Sequence, residues 1–167
     1  MFMKNNIKEH IYNKTKSIPF RHIILLIWLC VIWGHSMQPS NISSTESGTA
    51  LTFINNITEH IGIEFTEHFI RKLAHFTEYT ICGVLLSASF HQLIAPAQKD
   101  KAYKYLHLIV SLFCGLLVAM IDETIQLFSY GRSCEVKDVW LDFSGICLGT
   151  LMFILFNYCV DSFNTTS

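Results

Sequence analysis

The chain has 167 residues, of which 51% are hydrophobic and only 15% are charged, and its formal net charge is -1. Soluble domains carry about 25% charged residues, so this composition excludes an ordinary soluble protein. The near-neutral charge and the lack of a basic cluster give no indication of nucleic-acid binding. The apolar residues fall in four segments, each near the ~20 residues that cross a bilayer. We therefore predict an all-α membrane protein.

The first 20 residues are polar, and their basic residues predict a cytoplasmic N-terminal segment. A single acid, Glu9, stands against the basic residues Lys4, Lys8, Lys14 and Lys16 and against Arg21, which directly follows the segment. The apolar run Ile23 to Met37 lacks a small-residue cleavage site and is predicted to be an uncleaved first span. Gln38 to Thr49 is rich in Ser, Thr, Asn, Gly and Pro, which is typical of a loop. From Leu51 to Phe65 apolar residues recur every three or four positions, which predicts an amphipathic helix at the membrane interface.

Three longer apolar segments follow. We predict a second span from Leu73 to Ile94, a third from Leu106 to Phe128 and a fourth from Val136 to Val160. The short connections between them favour an antiparallel four-span bundle. The transmembrane domain is thus predicted to cover residues 21–160, with a short C-terminal tail at 161–167.

Lys and Arg are unequally distributed between the two predicted sides of the membrane. The expected inner side carries Lys4, Lys8, Lys14, Lys16, Arg21, Lys99, Lys101 and Lys104, and the expected outer side carries Arg71, Lys72, Arg132 and Lys137. Cytoplasmic loops carry the excess of these residues. The distribution therefore favours cytoplasmic N- and C-termini.

Polar residues interrupt the apolar pattern near the outer end of three predicted spans. Within each span they are spaced so that they share one helix face: His75, Glu78 and Tyr79 in the second, Asp122, Glu123 and Gln126 in the third, and Asp138, Asp142, Gly145 and Gly149 in the fourth. At 1.5 Å per residue the groups lie at similar depth. Ionisable residues inside spans usually face partners and take part in function, so we predict one polar pocket. Gly145 and Gly149 are predicted to allow close helix packing.

Three ordered motifs carry a family resemblance. They read Arg71-Lys72-x-x-His75-Phe76-x-Glu78-Tyr79, Asp122-Glu123-x-x-Gln126-x-Phe128-x-x-Gly131-Arg132 and Asp138-Val139-x-x-Asp142-x-x-Gly145-x-x-x-Gly149. Together they resemble the signature of the VanZ-like membrane proteins, named for a teicoplanin-resistance protein. The resemblance implies a bacterial multi-pass membrane protein connected with the cell envelope and glycopeptide sensitivity. Where that family commonly has Asn, this chain has Asp142, which adds an acid to the cluster.

The residue types of the predicted pocket favour binding of an anion. Arg pairs bidentately with phosphate or carboxylate groups, and neighbouring acids orient such cations. The predicted binding residues are Arg71, Lys72, Tyr79, Gln126, Arg132, Asp138 and Asp142. We expect an outward-facing pocket that binds or modulates a cell-envelope component, either an anionic lipid headgroup or a lipid-linked cell-wall precursor.

A membrane-embedded acid–base enzyme that acts on a lipid-linked envelope substrate is the alternative. The candidate catalytic residues are His75, Glu78, Asp122 and Glu123, because these residue types donate and accept protons. His75 with Glu78, Asp122 or Glu123 also offers ligands for a divalent metal. Only one helix contributes a His, so we assign no metal site and expect no cofactor.

A purely structural role is the third interpretation. Interhelical pairs such as Arg132 with Glu123, or His75 with Asp138, would hold the bundle together, each contributing about 1 kcal/mol. A transporter is disfavoured, because the polar residues do not continue into the inner half of the predicted spans.

Overall fold

The computed structural model describes residues 20–58, 65–94, 105–132 and 134–166. These parts of the chain form five helices and no strand, which confirms the all-helical prediction. The helices are α1 (Phe20–Ser36), α2 (Ser40–Thr58), α3 (Glu67–Ile94), α4 (Leu106–Gln126) and α5 (Val136–Thr166). The predicted basic leader, most of the predicted connection at 95–104 and positions 59–64 of the predicted interfacial helix lie outside the described residues.

Two of the helices, α4 and α5, are individually long and apolar enough to cross a membrane. Helices α1 and α2 qualify only as a pair, bent by 106°, which makes them one broken span or a re-entrant segment. The described residues thus provide two to three candidate spans, and the predicted count of four is not confirmed. Helix α3 is less apolar because it carries charged residues at its N-terminal end, among them Arg71, Lys72 and Glu78.

The prediction of a loop from Gln38 to Thr49 is wrong, because α2 begins at Ser40. Proline disfavours helical geometry in the residue before it and lacks an amide hydrogen, so Pro39 coincides with the break after α1. Beyond it, hydroxyl groups donate to the carbonyl four residues earlier, as from Thr45 to Asn41 at 2.9 Å and from Ser47 to Ser43 at 2.8 Å. In α2, side chains that usually compete with helix formation instead donate hydrogen bonds to the helix backbone.

Helices α3 and α5 pack against each other through glycine. A Cβ atom added to Gly145 would lie 2.7 Å from the carbonyl oxygen of Phe76 and 3.0 Å from Tyr79 Cβ. One added to Gly149 would collide with the backbone carbonyl of Thr80. These contacts confirm that the two glycines, one turn apart, serve close helix packing.

The apolar core lies where α1, α3, α4 and α5 meet. Its buried members come from all four helices: Ile32, Tyr79, Cys82, Leu86, Val118, Ala119 and Ile146. Helix α5 extends to Thr166 and so continues through residues that the sequence assigned to a tail. The core fixes the relative positions of the helix ends that carry the polar residues.

Candidate functional site

An open cavity of about 150 Å³ lies between the N-terminal half of α3, the end of α4 and the start of α5. We call it the first cavity. Eight of the residues predicted for the site line it: Arg71, Lys72, His75, Glu123, Gln126, Arg132, Asp138 and Asp142. The structure therefore brings the three sequence motifs to one place.

The other three predicted residues lie around this cavity rather than on its wall. Glu78 faces a second cavity, between α2 and α3, which Arg71, His75 and Arg132 also line. Tyr79 is fully buried in the apolar core. Asp122 is also fully buried, beneath the first cavity and close to His75 and Asp142.

The break between α1 and α2 packs against the connection that follows α4. Ser129 donates a hydrogen bond from its hydroxyl to the carbonyl oxygen of Ser36 at 2.8 Å, and the amide of Ser40 donates to the carbonyl oxygen of Tyr130 at 3.1 Å. Gly131 has a φ of 75°, which favours glycine, and a Cβ there would collide with the Ser40 hydroxyl. The connection that carries Arg132 is thereby held against the α1–α2 break.

Asp122 accepts hydrogen bonds on both carboxylate oxygens. The Ser36 hydroxyl donates to Oδ1 at 2.5 Å, and the Gln126 amide donates to Oδ2 at 3.0 Å. Gln126 also donates to Glu123 Oε1 at 3.0 Å, and the amide of Glu135 donates to Glu123 Oε2 at 3.2 Å. Gln126 thus links two buried acids and fixes both side chains.

Asp142 is only 1% exposed, and its buried Oδ2 atom has no hydrogen-bond partner in the part of the chain that the structure describes. One ligand-type atom each from His75, Asp122 and Asp142 lie within 4.8 Å of one another. An imidazole and two carboxylates are donors that divalent metals use in proteins. Among the described residues, this group is the one that could hold a metal ion.

Two of the predicted cations are paired with acids. Lys72 forms an ion pair with Asp138, which joins α3 to α5. Arg71 pairs with Glu67, one helical turn earlier, at 2.8 Å. Within the described ranges, the Nε atom of Arg71 stays buried without a hydrogen-bond partner.

Arg132 differs from the other cations of the site. It forms no ion pair with any residue in the described ranges, and its Nε atom is buried without a hydrogen-bond partner. Burial and the nearby positive charge of Arg71 lower the pKa of the Arg132 guanidinium from its ordinary value. The negative charges of Asp122, Glu123 and Glu46 act in the opposite direction on this pKa.

The two ion pairs suggested by the sequence, Arg132 with Glu123 and His75 with Asp138, are not formed between these described residues. Asp138 pairs with Lys72 instead, and Glu123 accepts hydrogen bonds from Gln126 and from the backbone. Helices α3 and α5 are therefore joined by the Lys72–Asp138 pair, and Arg132 takes no part in it.

Sequence reasoning missed the contribution of the end of α1. Ser36 bonds to Asp122, and His35 Nδ1 lies 2.7 Å from Glu78 Oε1. The indole of Trp28 donates to the Glu78 carbonyl oxygen at 3.0 Å. No motif spacing connects these residues to the later helices, since more than 40 positions separate each pair. The only signal in the sequence was the polar pair His35-Ser36 at the end of an apolar segment.

Comparison with known proteins bears on the identity of the fold. The VanZ/LLP1 family model matches residues 22–157, which include every residue that lines the two cavities. No curated protein and no solved structure gave a significant match. The family match covers most of the chain and contains all three motifs. The chain therefore belongs to the VanZ/LLP1 family.

Proposed function

We propose that this membrane protein binds the anionic headgroup of a cell-envelope component in the first cavity. The observation that carries the proposal is the half-buried guanidinium of Arg132, which lies near Arg71 and forms no ion pair with the described residues. Taking a charge out of water is unfavourable unless a partner compensates it. An anion between the two arginines would supply that partner, and the planar guanidinium favours the paired oxygens of phosphate or carboxylate.

The cavity is large enough for the charged end of such a ligand. With a volume of about 150 Å³ and an open side, it would admit a phosphate or pyrophosphate group. The apolar part of such a ligand would remain in the bilayer against the exposed apolar side chains of α4 and α5. A phospholipid and a polyprenyl-linked cell-wall precursor share this chemistry.

The proposal includes the orientation of the chain. The count of eight basic residues against four supports cytoplasmic termini and four membrane crossings, with α3 crossing as well. In that arrangement the first cavity opens on the outer side, where envelope precursors are assembled into the wall. A link to teicoplanin sensitivity follows from the family name and belongs to the same proposal.

The test measures ligand binding to the purified protein in detergent micelles. Native mass spectrometry would compare polyprenyl pyrophosphate, phosphatidylglycerol and inorganic pyrophosphate as ligands. A charge-assisted hydrogen bond contributes about 1.5–3 kcal/mol, so Arg132→Gln should weaken binding about 10- to 150-fold. Preference for the polyprenyl compound identifies a wall precursor, and preference for phosphatidylglycerol identifies a membrane lipid.

Lys137→Gln is the matched control, because Lys137 is exposed and lies outside both cavities. It removes one positive charge from the same region and should leave affinity nearly unchanged. An equal loss of affinity in Arg132→Gln and Lys137→Gln would show that the ligand responds only to overall positive charge, and not to Arg132 in particular. Absence of binding by the unaltered protein to all three ligands would refute the proposal.

The second candidate is an acid–base enzyme acting on a lipid-linked envelope substrate. It is favoured by the position of His75, which lines the cavity beside Asp142 and near Asp122. The two functions are distinguished by Glu123→Gln, which preserves shape and removes the acid. A binding protein should retain weakened affinity and leave the lipid chemically unchanged. An enzyme should convert the lipid, as seen by mass spectrometry, and the variant should abolish conversion.

A further inference from the structure

We infer that His75, Asp122 and Asp142 form a binding site for one divalent transition-metal ion, of the Zn²⁺ or Mn²⁺ type. The site goes beyond headgroup binding and does not depend on it. The three side chains come from three different helices, α3, α4 and α5, and converge with one ligand-type atom each within 4.8 Å of the others. Helix packing alone does not require an imidazole and two carboxylates at one point.

The burial of the two carboxylates is the first argument for a cation. Asp122 is fully buried and Asp142 is 1% exposed. Two adjacent buried carboxylates repel each other and lose hydration. The nearest lysine, Lys72, is already paired with Asp138, so within the described residues neither carboxylate has an ion-pair partner.

The second and independent argument is the unpaired oxygen of Asp142. Its Oδ2 atom is buried and finds no hydrogen-bond partner among the described residues, although buried polar atoms are almost always satisfied. Asp142 also lines the first cavity, as His75 does. A metal ion between them would bond to this oxygen and retain access to water from the cavity.

The surroundings of Asp122 match those of a metal ligand. Ligating carboxylates are usually hydrogen-bonded by outer groups that fix their orientation. Ser36 and Gln126 each occupy one oxygen of Asp122, and each oxygen retains a lone pair for a metal. The end of α1 thus acts on the cluster through Ser36, as a positioning residue.

The spacing and donor types restrict the ion. Bonds of about 2.0–2.2 Å at tetrahedral angles hold two ligand atoms of one ion about 3.3–3.6 Å apart, so atoms that lie as far as 4.8 Å apart would approach by up to about 1.5 Å on binding. The imidazole favours Zn²⁺ over Ca²⁺ and Mg²⁺, which prefer all-oxygen sites, and the two carboxylates also suit Mn²⁺. Three protein ligands leave positions for water, as in catalytic rather than structural metal sites.

The experiment uses the full chain in detergent, stripped with a chelator and then equilibrated with Mn²⁺ or Zn²⁺ alone. Bound metal is measured by elemental mass spectrometry after dialysis, and affinity by calorimetry, with the electron paramagnetic resonance of Mn²⁺ reporting its ligands. We expect one ion per chain and thermal stabilisation that rises with metal concentration. Excess Mg²⁺ should not displace it.

Asp142→Asn and Asp161→Asn form a matched pair, since both change an acid to its amide on α5 and Asp161 is exposed near the C-terminal end. Asp142→Asn should lower affinity by more than the roughly 10- to 100-fold that loss of an outer partner costs. Ser36→Ala should fall within that 10- to 100-fold range, and Asp161→Asn should match the unaltered protein.

Failure of the unaltered chain to bind either metal would overturn the inference without reference to any variant. Equal affinity of the two α5 variants would do the same, provided that both elute as monodisperse species. Because no lipid is present, these outcomes are independent of headgroup binding. Conversely, a chain that binds metal but no anionic lipid would support this site and contradict the headgroup proposal.

Discussion

Replacing Ser36 with alanine should destabilise the protein more than the loss of one hydroxyl group usually does. Ser36 is fully buried, and its hydroxyl donates to Asp122 at 2.5 Å from a residue 86 positions away. Hydrogen bonds to charged groups contribute about 1.5–3 kcal/mol, whereas interhelical bonds in membrane proteins average about 0.6 kcal/mol. We therefore expect a loss of about 1.5–3 kcal/mol, because the Asp122 carboxylate has no water to replace the donor.

Ser111→Ala provides the comparison. Ser111 is also fully buried in a helix, but its hydroxyl donates to the carbonyl oxygen of His107 in its own helix, at 2.7 Å. Ser36 ends α1 whereas Ser111 lies inside α4, so alanine gains more helix propensity at position 111, and the contribution of the charged partner is isolated by the double-mutant cycle below. For a chain of this length 1 kcal/mol corresponds to about 2–4 °C in Tm. Ser36→Ala should thus lower Tm by about 3–12 °C, and Ser111→Ala by only a few degrees.

The assay is thermal unfolding in detergent followed by tryptophan fluorescence, which reports directly because Trp28 and Trp33 lie on α1. A double-mutant cycle with Asp122→Asn isolates the pairwise contribution. Once the carboxylate is removed, Ser36→Ala should lose most of its effect. Equal Tm changes for Ser36→Ala and Ser111→Ala, or additive changes in the cycle, would refute the proposed attachment of α1 to α4 through this bond.

Two further predictions concern packing and orientation. Gly149→Ala should destabilise the chain by about 1–3 kcal/mol through overpacking against α3, whereas Gly48→Ala, which would meet no atom within 4 Å, should be neutral or stabilising. Similar unfolding temperatures for the two variants would contradict the α3–α5 contact. In a cysteine-free background, Arg132→Cys in intact cells should react with a membrane-impermeant maleimide and Lys8→Cys should not. The reverse pattern would exclude an outward-facing cavity.

The sequence predicted α4 and the close packing of α5 well, because the length of the apolar segments and the helical spacing of polar and glycine residues agreed there. Apolar length placed α4 within two residues of its observed bounds and the start of α5 at Val136, although α5 continues to Thr166 beyond the predicted end. The spacing of Gly145 and Gly149 predicted which face of α5 packs closely. The same helical spacing brought Asp122 and Gln126 onto one face, where they form a hydrogen bond. Local periodicity is sufficient for such features, since both partners belong to one helix.

The prediction failed where local composition and long-range packing disagree. Ser, Thr and Asn between Gln38 and Thr49 favour a loop when taken singly, yet their hydroxyl groups bond to the helix backbone in α2. The contacts from His35 to Glu78 and from Ser36 to Asp122 depend on how α1 docks. Side-chain pairs 43 and 86 positions apart leave no periodic trace in one sequence.

The arrangement of charge across the site explains why both proposals concern the same cavity. Arg71 and Arg132 lie together beside the cavity, whereas Asp122 and Asp142 are buried next to His75. Without a cation, the two carboxylates would oppose an anionic headgroup drawn in by the arginines. A divalent ion bound to Asp122 and Asp142 would offset their negative charge, and it would offer a free coordination position toward the first cavity. By linkage, metal and phosphate would then strengthen each other's binding, so the acids that oppose an anion on their own would become part of the anion site.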